Sequence, residues 1–268
     1  MPHLTIGELK IYYTLTGQGP ETLLIFPDNL HCAATHEREI IHWADTYQVL
    51  AFDYPGSGRS SHEGHYPDEL AVDYFGFRAD LACHLLLDLN IDTCHVVAIG
   101  GGVLAALHFA GKQAPQHSLC TVSLVADSCM ADFDTRTLHR WLDVREHYYV
   151  RNGRNLHTWH GENWRELLHE DTRFLRQLAD QGGYAVPNKI INNIPCPTLL
   201  IGHLQDPALP DLAQEYARLS NLIPDCSLYL SGKANHPHLE RPFMWTDTQT
   251  FHAITNLFLS EYAQADSE

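Results

Sequence analysis

The chain reads as an α/β protein built on a mostly parallel, doubly wound sheet with a helical insertion. Three observations predict this. Short apolar runs alternate with segments of helical period along most of the chain. Most of these runs are continuously apolar, as strands buried on both faces are. The one long stretch without such runs, 130–189, is instead rich in Trp, His and Arg.

The elements follow in order. Leu9–Thr16 alternates and ends at the turn Gly17-Gln18-Gly19. Thr22–Phe26, Tyr47–Phe52, His95–Ile99, Val122–Ala126, Thr198–Gly202 and Ser227–Leu230 are the other candidate strands. Phe75, Ala79, Ala82, Leu86 and Leu89 recur at helical spacing, as do Leu212, Tyr216, Leu219 and Ile223 after the turn Asp206-Pro207. Residues 1–129 and 190–268 are expected to form the core and 130–189 a helical cap on one edge. Trp159, Trp164, Phe133 and Tyr148–Tyr149 either line an apolar pocket there or pack the cap onto the core.

Composition narrows the function classes. A chain of 268 residues that is 44% apolar buries roughly 70–75% of the surface its unfolded form exposes, so stability needs no disulfide, metal or cofactor, and no cofactor is expected. Seventeen Lys plus Arg against 33 Asp plus Glu give −16 at pH 7, a field that repels phosphate backbones and anionic head groups. Nucleic acid and membranes are therefore poor partners; a small molecule fits, and a homodimer stays open. Protonating all 19 His moves the formal charge from −16 to +3, which makes solubility and site chemistry pH-sensitive. Cysteines at 32, 83, 94, 120, 129, 196 and 226 are odd in number, without a C-x-x-C pair, the pattern of reduced intracellular thiols. With no basic-then-apolar leader at the N-terminus, a cytoplasmic protein is expected.

Chemistry concentrates at Val96-Val97-Ala98-Ile99-Gly100-Gly101-Gly102-Val103-Leu104, where an apolar strand runs through a small-residue turn into the helical segment Leu104–Ala114. Asp53-Tyr54-Pro55-Gly56-Ser57-Gly58-Arg59-Ser60 is similar to a D-x-P-G-x-G-x-S turn, Ile201–Pro210 to an acid loop and Gly232–Pro242 to a histidine loop. In this order the motifs resemble the α/β-hydrolase fold superfamily over essentially the whole chain. The resemblance implies an α/β-hydrolase fold with a helical cap, and a nucleophile, acid and histidine in that sequence.

Departures decide what can be carried over. The superfamily's G-x-S-x-G places serine where this chain has Gly100, so an acyl-enzyme on that residue is impossible. Where His-Gly and an oxyanion-hole residue usually follow the first buried strand, the chain has Pro27-Asp28-Asn29. Proline lacks an N–H and an ionised Asp28 repels an oxyanion, while Asn29 can donate from its side chain.

By the resemblance, Asp206 is the acid that orients the histidine; as a residue before proline it equally starts a turn. Two alignments of the histidine loop remain open. A gapless match puts Asn235 on the catalytic position, and one gap selects His236, favoured because an imidazole suits general-base chemistry near neutral pH. Asp127, after Val122–Ala126, is an alternative acid or a helix cap, and Ser128 or Cys129 a displaced nucleophile. Asp28, Asn29, Gly101, Ser128 and Trp159 are the candidate substrate-binding residues. The pairs His157/His160, His236/His238 and His62/His65 match no established zinc signature, and no metal is expected.

The resulting expectation is a hydrolase-like enzyme for a small apolar carbonyl or ester substrate, using an Asp206–His236 dyad with Gly100 leaving room for water or substrate. The alternatives are a non-catalytic ligand-binding pseudo-hydrolase and a cofactor-free lyase or oxygenase acting by proton abstraction.

Overall fold

Continuous apolar runs become parallel strands because only a sheet covered by helices on both faces buries them fully. In the computed structural model, which describes residues 2–61, 73–112, 119–232 and 242–263, the chain begins with β1 (His3–Ile6), β2 (Leu9–Thr16), β3 (Thr22–Phe26), α1 (Glu37–Trp43) and β4 (Gln48–Phe52). It continues through α2 (Tyr74–Asp88), β5 (Thr93–Ile99), α3 (Gly102–Gly111) and β6 (Cys120–Asp127). The insertion holds β7 (Asp132–Asp134), α4 (Thr135–His160), α5 (Trp164–Asp180) and β8 (Gly183–Ala185). The core then resumes with α6 (Asn188–Ile191), β9 (Thr198–His203), α7 (Leu212–Ser220), β10 (Cys226–Ser231), α8 (Phe243–Thr246) and α9 (Thr248–Glu261).

The eight-stranded sheet runs β1-β2-β4-β3-β5-β6-β9-β10. The β1–β2 and β2–β4 pairs are antiparallel and all others parallel. Alternate residues of one strand feed opposite layers. Leu24, Phe26, Val96 and Ala98 pack with α2 and α3, whereas Leu23, Ile25, Val97 and Ile99 pack with α1 and α9. Strand order reverses at β3, which lies between β4 and β5. The loops leaving β3 and β5 therefore diverge around a crevice at the carboxyl ends of the strands, where open α/β sheets bind ligands. Among the described residues no helix is long and apolar enough to cross a membrane.

The insertion is mostly helical, yet it opens and closes on a two-stranded ribbon that the sequence did not signal: β7 and β8 pair antiparallel, Phe133 opposite Tyr184. Three residues each are too few to carry a period-2 signal. The ribbon is fixed instead by Gly183, at φ +111°, where a Cβ would stand 2.1 Å from the Phe133 carbonyl oxygen. β1 was equally silent in the sequence, being a four-residue edge with half of its side chains exposed. Inside the cap, Arg145 and Asp171 form a buried ion pair between α4 and α5. The cap sits on the start of α2, with Phe174 4.6 Å from Tyr74 and Tyr184 4.7 Å from Phe75, centroid to centroid.

Candidate active site

The elbow keeps its backbone. Gly100 has φ +52°, a left-handed conformation that side-chain-bearing residues rarely adopt. Its N–H donates to the Asp127 carbonyl oxygen (2.9 Å) and its carbonyl accepts from Val103 N–H (3.0 Å), which starts α3. Gly102 lets the helix start press on the loop after β3, since a Cβ there would lie 2.4 Å from the Pro27 oxygen.

What fills the missing side chain's place is a carboxylate from the other loop. A Cβ on Gly100 would lie 2.4 Å from Asp28 Cγ and within 2.6 Å of both carboxylate oxygens. Asp28 Oδ1 accepts from Gly101 N–H (2.5 Å) and Asn29 N–H (2.7 Å). These are the residue after the elbow and a residue of the loop after β3, the two positions from which this type of fold builds an oxyanion hole. Pro27 thus removes no donor from the pair, because Asn29 supplies it. The pair is instead occupied by the protein's own anion.

Asn29 is held in turn. Its Oδ1 accepts from Arg78 Nη1 at 2.5 Å. The Arg78 guanidinium lies over the rings of Tyr54 and Tyr74, 3.9 and 4.4 Å from their centroids. Arg78 belongs to the buried face of α2, three residues after Phe75 in the apolar stripe. A charge on that stripe was the available signal, and sequence reasoning passed over it.

Above these groups is a narrow, largely apolar cleft, closed by the insertion through Phe133, Leu138, Trp141 and Tyr184. Asp28, Asn29, Gly100, Gly101, Ser128 and Cys129 all line it, and Asp28 is the one charged residue among the described lining residues. Ser128, at φ +55°, donates its hydroxyl to Asp127 Oδ1 (2.7 Å), and Cys129 directs its thiol to the Met130 carbonyl (3.2 Å).

The other candidates have different surroundings. Asp127 is fully buried; Oδ1 accepts from Phe243 N–H (3.2 Å) and Oδ2 from Met244 N–H (2.8 Å), so the carboxylate ties the end of β6 to the start of α8. Asp206 is buried after β9, with Oδ1 accepting from Ala208 and Leu209 N–H groups (2.9 and 3.1 Å), the turn-starting geometry its sequence context allows. Asn235, His236 and His238 lie outside the described residues, as do His62 and His65.

Trp159 is a correction: it is not among the cleft-lining residues, where Trp141 stands instead. A helix rises 1.5 Å per residue, so the two indoles are separated by about 27 Å along α4. Trp159 packs edge-on against His31 (5.7 Å) and lines a separate groove with Tyr12, Asp53 and Arg59. Trp164 lines a third groove, between α4 and α5. The spacing of His157 and His160 does not make a pair either. His157 faces Glu162 (3.1 Å), whereas His160 Nδ1 accepts from Gly58 N–H (2.9 Å) and Nε2 donates to the Leu30 carbonyl (3.0 Å).

Behind Asp28 stand two buried imidazoles. His31 Nδ1 is 3.9 Å from Asp28 Oδ2, and its ring packs 4.7 Å from Trp245. Burial, with the charges of His36, His160 and Arg145 adding, pushes His31 well below the usual imidazole range; burial takes His36 down to about 3. Both are neutral at pH 7. The D-x-P-G-x-G-x-S turn is structural: Asp53 accepts from the Ala33 and Arg59 N–H groups (both 2.7 Å), and burial raises its carboxyl to about 6.

Comparison with known proteins agrees with this architecture. The model of the alpha/beta hydrolase family matches residues 29–245. Among solved structures, a bacterial membrane phospholipase A described as a virulence factor superposes with TM-score 0.73 at 17% identity, covering 98% of this chain and 86% of that one. MGS-M2, an α/β hydrolase enzyme from a Medee basin deep-sea metagenome library, gives 0.71 at 20% identity with both chains fully covered. The enol-lactonase of Burkholderia xenovorans LB400 gives 0.70 at 15% identity, covering 97% and 100%. At such identities the likeness is one of fold. No curated protein sequence matches. With the elbow, the sheet order and the family match in agreement, the chain belongs to the α/β hydrolase family.

Proposed function

We propose that this chain is a hydrolase-like enzyme that works without a nucleophilic serine, taking a small, largely apolar ester or other carbonyl compound into the cleft above Gly100. The observation that carries the reading is the Asp28 carboxylate standing where the elbow side chain would be, with Oδ1 fixed by Gly101 and Asn29 N–H. A carboxylate fixed by two charge-assisted hydrogen bonds at the floor of an apolar cleft is a preorganised general base. In this reading Asp28 takes a proton from water as the water attacks the carbonyl carbon. His236, oriented by Asp206, then supplies a proton to the departing alkoxide. No covalent intermediate is required.

The test is turnover of short p-nitrophenyl and ethyl esters at pH 7–8. Asp28→Asn is expected to lower turnover of both by roughly 100-fold or more, within the range that proton transfer contributes. His236→Ala is expected to spare the p-nitrophenyl esters, whose leaving group needs no proton, and to lower ethyl ester turnover. No turnover by the wild-type protein, or turnover unchanged in Asp28→Asn, overturns the reading. One observation favours a second reading, a non-catalytic binding protein: the backbone N–H pair is already filled by Asp28. Stabilisation by apolar carbonyl ligands without any turnover would identify it.

A further inference from the structure

Because Asp28 Oδ1 fills the backbone N–H pair, a carbonyl entering the cleft needs another donor for the negative charge that develops on its oxygen. The neighbouring residue supplies one. Asn29 lines the cleft, and its Oδ1 accepts from Arg78 Nη1 at 2.5 Å. A guanidinium only donates, so this contact fixes the orientation of the amide and leaves the Nδ2 end as its donor. Arg78 is 2% exposed and is held over Tyr54 and Tyr74. A buried cation at the amide oxygen draws electron density through the amide and strengthens Nδ2–H as a donor.

We infer that Asn29 Nδ2, polarised by Arg78, is a side-chain oxyanion site that takes the oxygen of a neutral carbonyl compound as it becomes a tetrahedral oxyanion or an enolate. The inference rests on the carbonyl-substrate reading above but covers both water attack and proton abstraction. Charge balances in each. As Asp28 accepts a proton it becomes neutral, the carbonyl π pair moves onto oxygen, and the negative charge passes from one residue's side chain to the donor on the next. Arg78 therefore faces one negative charge before and after the step. When the carbonyl re-forms, the oxygen pair becomes the C=O π bond again; in hydrolysis the carbon–leaving-group bond breaks, its pair departing with the leaving group, which takes up a proton, and in the enolate case the C=C π pair takes up the proton at carbon. Arg78 is a positioning residue here, since it touches Asn29 and not the substrate.

Binding of 1,1,1-trifluorooctan-2-one, an activated ketone that hydrates to an acidic diol, tests this independently of turnover. Affinity is measured by fluorine NMR at pH 8, with octan-2-one as the unactivated control. Asn29→Ala is expected to weaken the trifluoroketone at least roughly 10-fold, the loss of one oxyanion donor costing about 100- to 1,000-fold where the full transition-state charge is felt, and octan-2-one much less. Asn29→Asp keeps an acceptor for Arg78 while removing the donor, so the same loss is expected; loss in Ala but not in Asp would show a structural role and overturn the site. Arg78→Lys, which keeps the charge without the planar stack, is expected to fall between wild type and Asn29→Ala. Trifluoroketone affinity unchanged in folded Asn29→Ala, or absent from the wild-type protein, also overturns it. Asn29-dependent binding without ester turnover keeps the oxyanion site and removes the hydrolase reading; turnover indifferent to Asn29 does the reverse.

Discussion

Two buried carboxylates at the ends of neighbouring strands make nearly the same bonds and serve different ends. Asp28, after β3, accepts two backbone N–H groups; Asp127, at the end of β6, also accepts two. The donors to Asp127 belong to the start of α8, so the carboxylate joins two parts of the core. Those to Asp28 belong to the elbow and its facing loop, and the carboxylate lines the cleft. Residue type, burial and a pair of backbone N–H donors are shared, and Asp127 accepts the Ser128 hydroxyl as well. What differs is whether a cavity lies beside the group, and on that difference rests the proposal that Asp28 reacts while Asp127 clamps the core.

The largest expected effect tests this contrast directly. Asp127→Ala leaves the buried Met244 N–H and the Ser128 hydroxyl without their carboxylate, at about 1–3 kcal/mol for each buried donor left unsatisfied, while Phe243 N–H keeps Ser128 Oγ at 3.0 Å. A stability loss of about 3 kcal/mol or more by urea denaturation is expected. Asp28→Asn retains an oxygen for its two donors and should lose under about 1.5 kcal/mol while removing turnover. Equal stability losses would collapse the contrast.

Acid acts next. His36, with a folded value near 3, and His252, near 4, bind protons more readily when unfolded, and His31 is shifted the same way. The stability of their neutral burial is complete above about pH 6.5 and falls as pH drops toward the folded values, by up to about 1.4 kcal/mol per pH unit for each group. Asp53, raised to about 6, opposes this between about pH 6 and the ordinary carboxylate range, because its folded form holds the proton longer. Burial lowers His95 and His108 as well and raises Glu39; five lowered imidazoles outweigh the two raised carboxyls, so Tm should fall steadily below pH 6. His36→Gln should flatten that slope; an unchanged slope would assign the acid sensitivity elsewhere.

Placing a side chain at the elbow comes third. Gly100→Ala puts a methyl group 2.4 Å from Asp28 Cγ at a φ of +52°. Left-handed backbone costs an L-residue about 1–2 kcal/mol, and the clash adds to it. Asp28→Gly removes the clash but not the backbone strain. A double-mutant cycle on stability should therefore give a coupling of about 1 kcal/mol or more, and additivity would mean that the carboxylate does not occupy the elbow volume.

The sequence made the fold legible because strand burial and strand–helix alternation are written in consecutive residues. Seven sheet strands, the elbow at Gly100 and the helices through Phe75 and Leu212 all have local periods or turn chemistry. The site was legible only as a set of positions. Nothing local says that Asp28 folds back over a residue 72 positions later, and the missing serine signalled an empty place rather than its occupant. Arg78 was hidden by its surroundings, a cation read as part of an apolar stripe. Trp159 was misplaced because composition identifies an aromatic cap but not which end of a 26-residue helix faces the cleft. The three-residue strands β7 and β8 are set by tertiary contacts alone.

The smallest expected effect concerns Asp206, the third carboxylate of the strand ends, whose two backbone donors both lie in its own turn. Its Oδ1 starts a turn by accepting from Ala208 and Leu209 N–H. An asparagine side chain offers an oxygen for both, so Asp206→Asn should change stability by under about 0.5 kcal/mol, whereas Asp206→Ala loses the cap and about 1 kcal/mol. If Asp206 also orients His236, the asparagine variant separates the two roles, because a neutral amide satisfies the turn but stabilises an imidazolium poorly. Ethyl ester turnover should then fall in Asp206→Asn while p-nitrophenyl ester turnover holds. A loss of both substrates in Asp206→Ala with none in Asp206→Asn would make Asp206 a turn residue, and leave Asp28 as the sole carboxylate of the three with a chemical role.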